Sequence, residues 1–160
     1  MLRILVLAVA IAALSCVRID GGAVEAAWVI RSADGQPSDC RCAEPAIVAI
    51  RLDLVGASGS VKDSQPCQGR DQCRFACSFS RGATPFDIPP GSYLMSLVPL
   101  DAEGRDLSSP DSPGGGRITP PAPVLREVVN GQPTQLDVSA IVAACSSGCS
   151  ANKTPACSSP

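Results

Sequence analysis

The chain has 160 residues and a formal net charge of −2; 45% of its residues are hydrophobic but only 3% are aromatic. That length predicts one domain whose modest core is built on aliphatic side chains. The absence of a basic stripe excludes the electrostatic surface that binds nucleic acid. The chain has no histidine, which excludes Ser-His-Asp and Cys-His catalytic arrangements. A hydrolase would have only Asp/Glu pairs to use, with no supporting motif, so we predict no catalytic residues and no cofactor.

The first residues have the pattern of an export signal. Arg3 precedes an unbroken apolar segment that runs from Ile4 to Leu14, and Cys16 follows closely. A membrane-spanning helix needs roughly 20 apolar residues, and this shorter segment is typical of the apolar part of a signal peptide. We therefore predict a signal peptide over residues 1–15.

The stretch Ala13-Leu14-Ser15-Cys16 resembles the lipobox of bacterial lipoprotein precursors, with the usual leucine one position later. The resemblance implies a diacylglycerol thioether on Cys16, cleavage before it, and acylation of the new amino terminus. Several acyl chains would form a lasting anchor, because each buried CH₂ contributes about 0.8 kcal/mol. Val17 stands where some family members carry the aspartate of inner-membrane retention, which favours the outer membrane. The alternative is an ordinary secretory cleavage site and a soluble periplasmic or secreted protein.

The number of cysteines favours lipidation. The chain has nine, and an odd number in an exported protein implies that one has a different fate. If Cys16 carries lipid, an even set is left for disulfides in an oxidising compartment. Of the many possible pairings we favour Cys40–Cys77 and Cys67–Cys73, with a further bridge within the tail. The full set of disulfide candidates is Cys40, Cys42, Cys67, Cys73, Cys77, Cys145, Cys149 and Cys157.

Two metal sites are possible alternatives. Cys40-x-Cys42 together with Cys73-x₃-Cys77 has thiolates at a spacing that a soft metal could use. The predicted export, the missing histidine and the absence of Cys-x₂-Cys pairs argue against it. The carboxylates of Asp101, Glu103 and Asp106 would suit Ca²⁺, but they lack the ligand spacing of an EF-hand loop. We therefore interpret residues 101–106 as a polar hairpin turn and predict no metal ligands.

Behind the signal peptide, residues 16–23 contain two glycines and predict a flexible tether. A single domain over residues 24–142 and a cysteine-rich tail over residues 143–160 follow. The Pro/Gly-rich residues 107–123 predict a mobile loop within the domain. Alternating apolar residues predict the strands, which cover residues 24–31, 46–55, 75–79, 93–100, 124–129 and 134–142.

The same alternation predicts which side chains face the core. Trp28 and Tyr93 lie on the apolar faces of their strands, where a sandwich buries its aromatic residues. In the second strand Val48, Ile50, Leu52 and Leu54 point inward, and in the third strand Phe75, Cys77 and Phe79 share one face. About six or seven short strands without an amphipathic helix predict an all-β fold, an antiparallel β-sandwich.

The stretch Ile88-Pro89-Pro90-Gly91, followed by Tyr93, resembles the turn before a central strand of transthyretin-like and carboxypeptidase-regulatory-like domains. Residues 123–138 resemble the closing hairpin of the same modules. The resemblance implies a transthyretin-like or Ig-like sandwich. With the N-terminal pattern, it predicts a non-catalytic cell-envelope lipoprotein held by its lipid, which binds a protein or glycan through its loops. The alternative function is a Cys-based metal or redox binder in the periplasm.

Overall fold

The computed structural model describes residues 20–57, 65–112 and 116–144. Within these ranges the chain is mostly strand, with three one-turn 3₁₀ helices at Cys40–Cys42, Asp71–Cys73 and Cys77–Phe79. In the described part of the chain no helix has the length and apolar character needed to cross a membrane. The strands are β1 (Ala23–Ser32), β2 (Ala49–Gly56), β3 (Arg74–Ala76), β4 (Arg81–Ala83), β5 (Gly91–Leu100), β6 (Ile118–Thr119), β7 (Val124–Val128), β8 (Pro133–Gln135) and β9 (Ser139–Ala143).

The strands form two sheets. The β5 sheet has the order β3-β2-β5-β7, and all of its pairs are antiparallel. The β1 sheet has the order β4-β1-β9-β6, and β8 also pairs with β1. Here the prediction of a purely antiparallel sandwich is wrong, because β1 runs parallel to both β8 and β9.

The parallel pairs arise from the path of the chain after β7. The sequence predicts a closing hairpin over residues 123–138, but β7 pairs with β5 while β8 pairs with β1. The turn between them therefore carries the chain from one sheet to the other. In the β1 sheet, β8 and β9 then both pair with β1 in the parallel direction.

The main core lies between the two sheets and contains inward-facing residues of both, and a small second cluster contains Ala49, Val98 and Leu100. Trp28 is 1% exposed and Tyr93 is 4% exposed, which confirms that both are core residues. The Trp28 ring lies 6.3 Å from that of Phe75, centroid to centroid, so β1 contacts the edge of the opposite sheet. The buried aliphatic residues of the long strands follow the predicted alternation; they are Val24, Ala26, Ile30, Ile50, Leu52, Leu54, Met95 and Leu97.

Two apolar side chains predicted to face the core are exposed instead. Val48 is 48% exposed because it lies just before β2, which begins at Ala49 and not at the predicted residue 46. Phe79 is 72% exposed because the predicted third strand ends at Ala76 and continues as a 3₁₀ helix. A 3₁₀ turn places three residues in each turn, so the two-residue alternation of a strand no longer applies.

The residues that end the predicted tether belong to the fold. Gly22 exchanges backbone hydrogen bonds with Ile88, and the Gly21 carbonyl accepts one from Gly131. A Cβ on Gly21 would lie 2.8 Å from the backbone of Asp87, and one on Gly22 would lie 2.5 Å from Val128 Cγ1. The two glycines therefore permit a close approach of backbone segments, which a tether does not require.

The Pro/Gly-rich segment predicted as a mobile loop is attached to the core at two points. Leu107 is fully buried, and Ile118 is 2% exposed and begins β6. Strand β6 pairs with β9 at the edge of the β1 sheet. The segment thus covers one end of the core before and after residues 113–115, which are outside the described residues.

Two of the predicted disulfides are present in the structure. Cys40 is bonded to Cys77 and Cys67 to Cys73. Cys42 is disulfide-bonded as well. Of the remaining predicted positions, Cys16 and the tail residues Cys145, Cys149 and Cys157 lie outside the described residues.

Candidate binding groove

A concave surface lies on the outer face of the β1 sheet, along β1 and β4. Its volume is about 760 Å³, which falls in the range of small-ligand and peptide pockets. The floor is low because the outward residues there, Ala27 of β1 and Ala83 of β4, are small. We call this surface the β1–β4 groove.

The walls of the β1–β4 groove are apolar. Phe79 stands on one side and is 72% exposed, and Val138 stands on the other and is 67% exposed. Leu136 also lines the groove but is only 7% exposed, because it reaches into the core. Most exposed apolar side chains on proteins are scattered singly, so two large ones facing a depression favour a binding surface.

Phe79 is held in position by the core beneath it. It ends the 3₁₀ helix Cys77–Phe79, whose first residue is bonded to Cys40. The carbonyl of Cys77 accepts hydrogen bonds from Trp28 Nε1 at 3.0 Å and from Ser80 N at 3.1 Å. Ser80 then adopts a left-handed conformation with φ 56°, which turns the chain into β4. Apolar alternation carries no signal for this turn, so sequence reasoning missed Phe79 as a surface residue.

The opposite wall is fixed by β8 and the residues after it. The Leu136 N–H donates to the Glu25 carbonyl at 2.8 Å, which continues the pairing of β8 with β1. Beyond it, Asp137 forms an ion pair with Arg126 of β7, with Nη2 and Oδ2 3.0 Å apart. These contacts lead the chain along the groove and place Val138 at its rim.

Three polar side chains stand among the apolar walls. Gln135 donates from Nε2 to Glu25 Oε2 at 3.3 Å, so an amide and a carboxylate sit together at one end. Arg81 lines the groove two residues along β4 from the Ala83 position that faces Glu25. Among the described residues no carboxylate forms an ion pair with Arg81. The groove therefore presents one negative and one positive charge to a ligand that brings apolar groups.

A second, smaller depression lies on the outer face of the β5 sheet and has a volume of about 230 Å³. Arg51 and Asp53 line it and form an ion pair, with Nε and Oδ1 2.6 Å apart. The hydrogen bond to Asp53 raises the pKa of Arg51 above its ordinary value, despite partial burial. Because these charges neutralise each other and the volume is small, this depression is the weaker candidate.

The carboxylates whose chemistry would suit Ca²⁺ form a turn at the end of β5. Asp101 accepts backbone hydrogen bonds from Glu103 and Arg105 at 2.9 and 2.8 Å, and its Oδ2 accepts Arg105 Nε at 2.6 Å. Burial raises the pKa of Asp101, but the hydrogen bonds and the charge of Arg105 together lower it by more than burial raises it. The pKa of Asp101 therefore lies below its ordinary value. This geometry is that of the predicted polar turn. In the described ranges, no three metal-ligating side chains come together.

The cysteines of the alternative soft-metal site are engaged in disulfides. Cys40 and Cys77 are bonded to each other, Cys73 is bonded to Cys67, and Cys42 is also in a disulfide. A soft metal binds the thiolate form of cysteine, and a disulfide sulfur provides none. In the oxidised chain this set of residues therefore cannot ligate a metal as the sequence pattern suggested.

Comparison with protein-family models, with curated proteins and with solved structures finds no match to this chain.

Proposed function

We propose that this chain is a lipid-anchored, non-catalytic module of a bacterial cell envelope that binds a partner through the β1–β4 groove. The observation that carries the proposal is the disulfide bonding of all five described cysteines. Disulfides of this kind persist in oxidising compartments outside the cytoplasm, where the apolar segment before Cys16 would deliver the chain. The lipobox-like residues then supply the anchor.

A non-catalytic role is supported by how the acidic side chains are used. Among the described residues six carboxylates form ion pairs with arginine, namely Asp39, Asp53, Asp87, Asp101, Glu103 and Asp137. Glu25, in the groove, is bound by the amide of Gln135. A general acid and base pair requires two carboxylates that flank one substrate bond, and the groove lining contributes one.

The lining favours a protein segment over a glycan as the partner. Phe79 and Val138 offer two apolar contacts on opposite walls, and the alanine floor between them can admit a side chain. Glu25 and Arg81 add one charge of each sign to the same lining. A peptide with an apolar anchor and flanking charges of both signs would match this arrangement. A neutral glycan would leave Arg81 without a partner.

The anchor is tested by the intact mass of protein extracted from membranes. We expect cleavage before Cys16, the added mass of acyl chains, and the loss of eight hydrogens for four disulfides, a number that follows if each remaining cysteine is paired. The Cys16→Ser variant should leave the membrane fraction without detergent. A serine variant that pellets like the parent, or a mature chain without acyl mass, would contradict the anchor and favour a soluble exported protein.

The groove is tested separately by site-specific photo-crosslinking in cells. A photoreactive residue in place of Val138 should give one discrete protein adduct, and the additional Ala27→Arg substitution should abolish it by filling the floor. The matched control places the same photoreactive residue at Leu125, which is 58% exposed on the other sheet. Equal adducts at both positions, or persistence after Ala27→Arg, would exclude the groove. A loss of protein adducts together with binding to cell-wall glycans would replace the peptide with a glycan.

A further inference from the structure

The place where the chain enters the fold is bordered by two exposed apolar side chains. Gly21 and Gly22 pass between the segment that carries Phe86 and the turn that carries Val129. Phe86 is 42% exposed and Val129 is 40% exposed. We call this surface, comprising residues 85–90 and 129–132, the N-terminal end of the domain.

The reach of the chain determines what this end can contact. Gly21 is fixed to the fold by the hydrogen bond from Gly131 N, so only the residues between Cys16 and Gly21 can act as a spacer. The five residue steps from Cys16 to Gly21 span at most about 17 Å when fully extended. Strand β5 has ten residues and is about 30 Å long. A lipid on Cys16 would therefore keep the N-terminal end near the bilayer and the far end of β5 away from it.

The loop that carries Phe86 is built to hold its shape. Ile88 is fully buried and is bonded to Gly22 in both directions. The Tyr93 hydroxyl donates to the Pro89 carbonyl at 2.9 Å, and Pro89 is followed by a second proline. Prolines and these hydrogen bonds reduce the ordering that a contact would require. Phe86 is thus presented at the surface by a rigid segment.

The charge next to Phe86 is neutralised within the protein. The carboxylate of Asp87 pairs with Arg70 Nη2 and also accepts a hydrogen bond from Gln72 Nε2 at 2.9 Å. An unpaired carboxylate would resist approach to an apolar phase, because its desolvation is costly. With this charge compensated, the apolar side chain beside it can enter the interfacial region of a bilayer.

We propose that the N-terminal end of the domain is a membrane-facing surface, with Phe86 and Val129 inserted among the lipid headgroups beside the anchored chain. This inference rests on the proposed lipidation of Cys16. Its occupant is the bilayer that holds the anchor, because the short spacer keeps this end of the domain against that bilayer and against no other surface. Aromatic side chains favour this interfacial depth.

The test uses the full-length lipidated protein, reconstituted into phosphatidylcholine vesicles with or without brominated acyl chains, which quench tryptophan. The Phe86→Trp variant should lose much of its added emission in the brominated vesicles. The matched control is Val48→Trp: Val48 is 48% exposed and bonded to Leu100, at the opposite end of β5. The parent supplies the emission of the buried Trp28. Neither the control nor the parent should be quenched.

The outcomes separate the two proposals. Lipidated, vesicle-bound Phe86→Trp protein without quenching would overturn the membrane-facing surface and leave the anchor standing. A mature chain without acyl mass would overturn both. A second measurement does not depend on a substitution: amide hydrogen exchange in residues 85–90 and 129–132 should be slower in the vesicle-bound parent than in soluble Cys16→Ser protein. Equal exchange in these segments would also overturn the surface.

Discussion

The two sheets differ in how their strands pair and in the shape of their outer faces. In the β5 sheet, β2 and β5 pair over eight positions, from Ala49↔Leu100 to Gly56↔Tyr93. In the β1 sheet, β1 is divided among β4, β8 and β9, each over three to five positions. Long continuous pairing makes one sheet regular, whereas the other is assembled from short pieces of distant sequence. The stability of the β1 sheet therefore depends more on the side-chain contacts that hold its short strands in place.

The outer faces show the same contrast. On the β5 sheet Val55, Leu94 and Leu125 lie side by side across three strands and form an exposed ridge. On the β1 sheet the outward residues Ala27 and Ala83 are small, and the β1–β4 groove results. Both faces are apolar, so apolar character alone does not identify a binding surface. The β1–β4 groove is concave and contains charged side chains, whereas the ridge on the β5 sheet is an exposed apolar area without a depression.

The largest effect should come from removing the side chain that joins the sheets. Trp28→Ala would leave a cavity, lose the ring contact with Phe75 and free the Cys77 carbonyl from its hydrogen bond. We expect the free energy of unfolding to fall by about 3–5 kcal/mol, measured by urea titration with the disulfides intact. Leu125→Ala on the exposed ridge is the control and should change it by less than about 0.5 kcal/mol. Comparable losses for the two variants would show that Trp28 does not join the sheets in solution.

The Cys40–Cys77 and Cys67–Cys73 disulfides should differ in effect because they close loops of different length. Their sequence separations are 37 and 6 residues. Chain entropy predicts a loss of about 4 kcal/mol for the double variant Cys40→Ser/Cys77→Ser and about 2 kcal/mol for Cys67→Ser/Cys73→Ser. Thermal and urea unfolding of both double variants would measure the difference. The reverse order would indicate that the 3₁₀ helix below Phe79 is held by its other contacts.

The next effect concerns the close approach at the start of β1. Gly22→Ala would place a Cβ 2.5 Å from Val128 Cγ1 and from the Val129 carbonyl oxygen. Overpacking of this kind costs about 1–3 kcal/mol. Ser92→Ala, at an exposed position of β5, is a control from the regular sheet and should be nearly neutral. A neutral Gly22→Ala variant would restore the interpretation of these glycines as a tether.

The smallest effect is a pH dependence at the end of β5. The pKa of Asp101 is lower in the folded chain than its ordinary value, so its contribution to stability is fully present above about pH 4 and is lost as the pH falls through the folded pKa. The Asp101→Asn variant should therefore be less stable than the parent near pH 7 and should approach it below pH 4. Urea titrations across this range would check the prediction. A constant difference between the two proteins at all pH values would contradict it.

The regular sheet was largely predictable from sequence, and the assembled sheet was not. The two-residue alternation of Ile50, Leu52 and Leu54 reports directly which side chains are buried. It reports nothing about which strand lies alongside, so the parallel pairing of Trp28 with Ser139 had no local signal. Neither did the turn at Ser80, which moved Phe79 from the core to the groove.

The glycines and cysteines illustrate two further limits of sequence reasoning. Gly21-Gly22 has the composition of a flexible spacer and equally that of a close backbone approach, and only the neighbouring segments at Asp87 and Val128 distinguish the two. The Cys40–Cys77 pair was favoured because it would tie the loop after the first strand to the third strand, and Cys67–Cys73 because it would close a small loop. Both pairs are present in the structure, although the sequence alone does not select them from the possible pairings.

The parallel pairing of β1 with β9 determines when the β1 sheet can form during folding. Of the described strands β1 is the first to leave the ribosome, and its longest pairing is with residues 139–143, among the last of them to emerge. Until then Trp28 and Ile30 have no backbone neighbour on that side, and contacts this distant in sequence form slowly. The β5 sheet can form earlier from adjacent segments. A chain that ends before Ser139 would therefore expose the edge of β1 to other chains, and purified chains of increasing length, refolded under oxidising conditions, should become protease-resistant only when β9 is included.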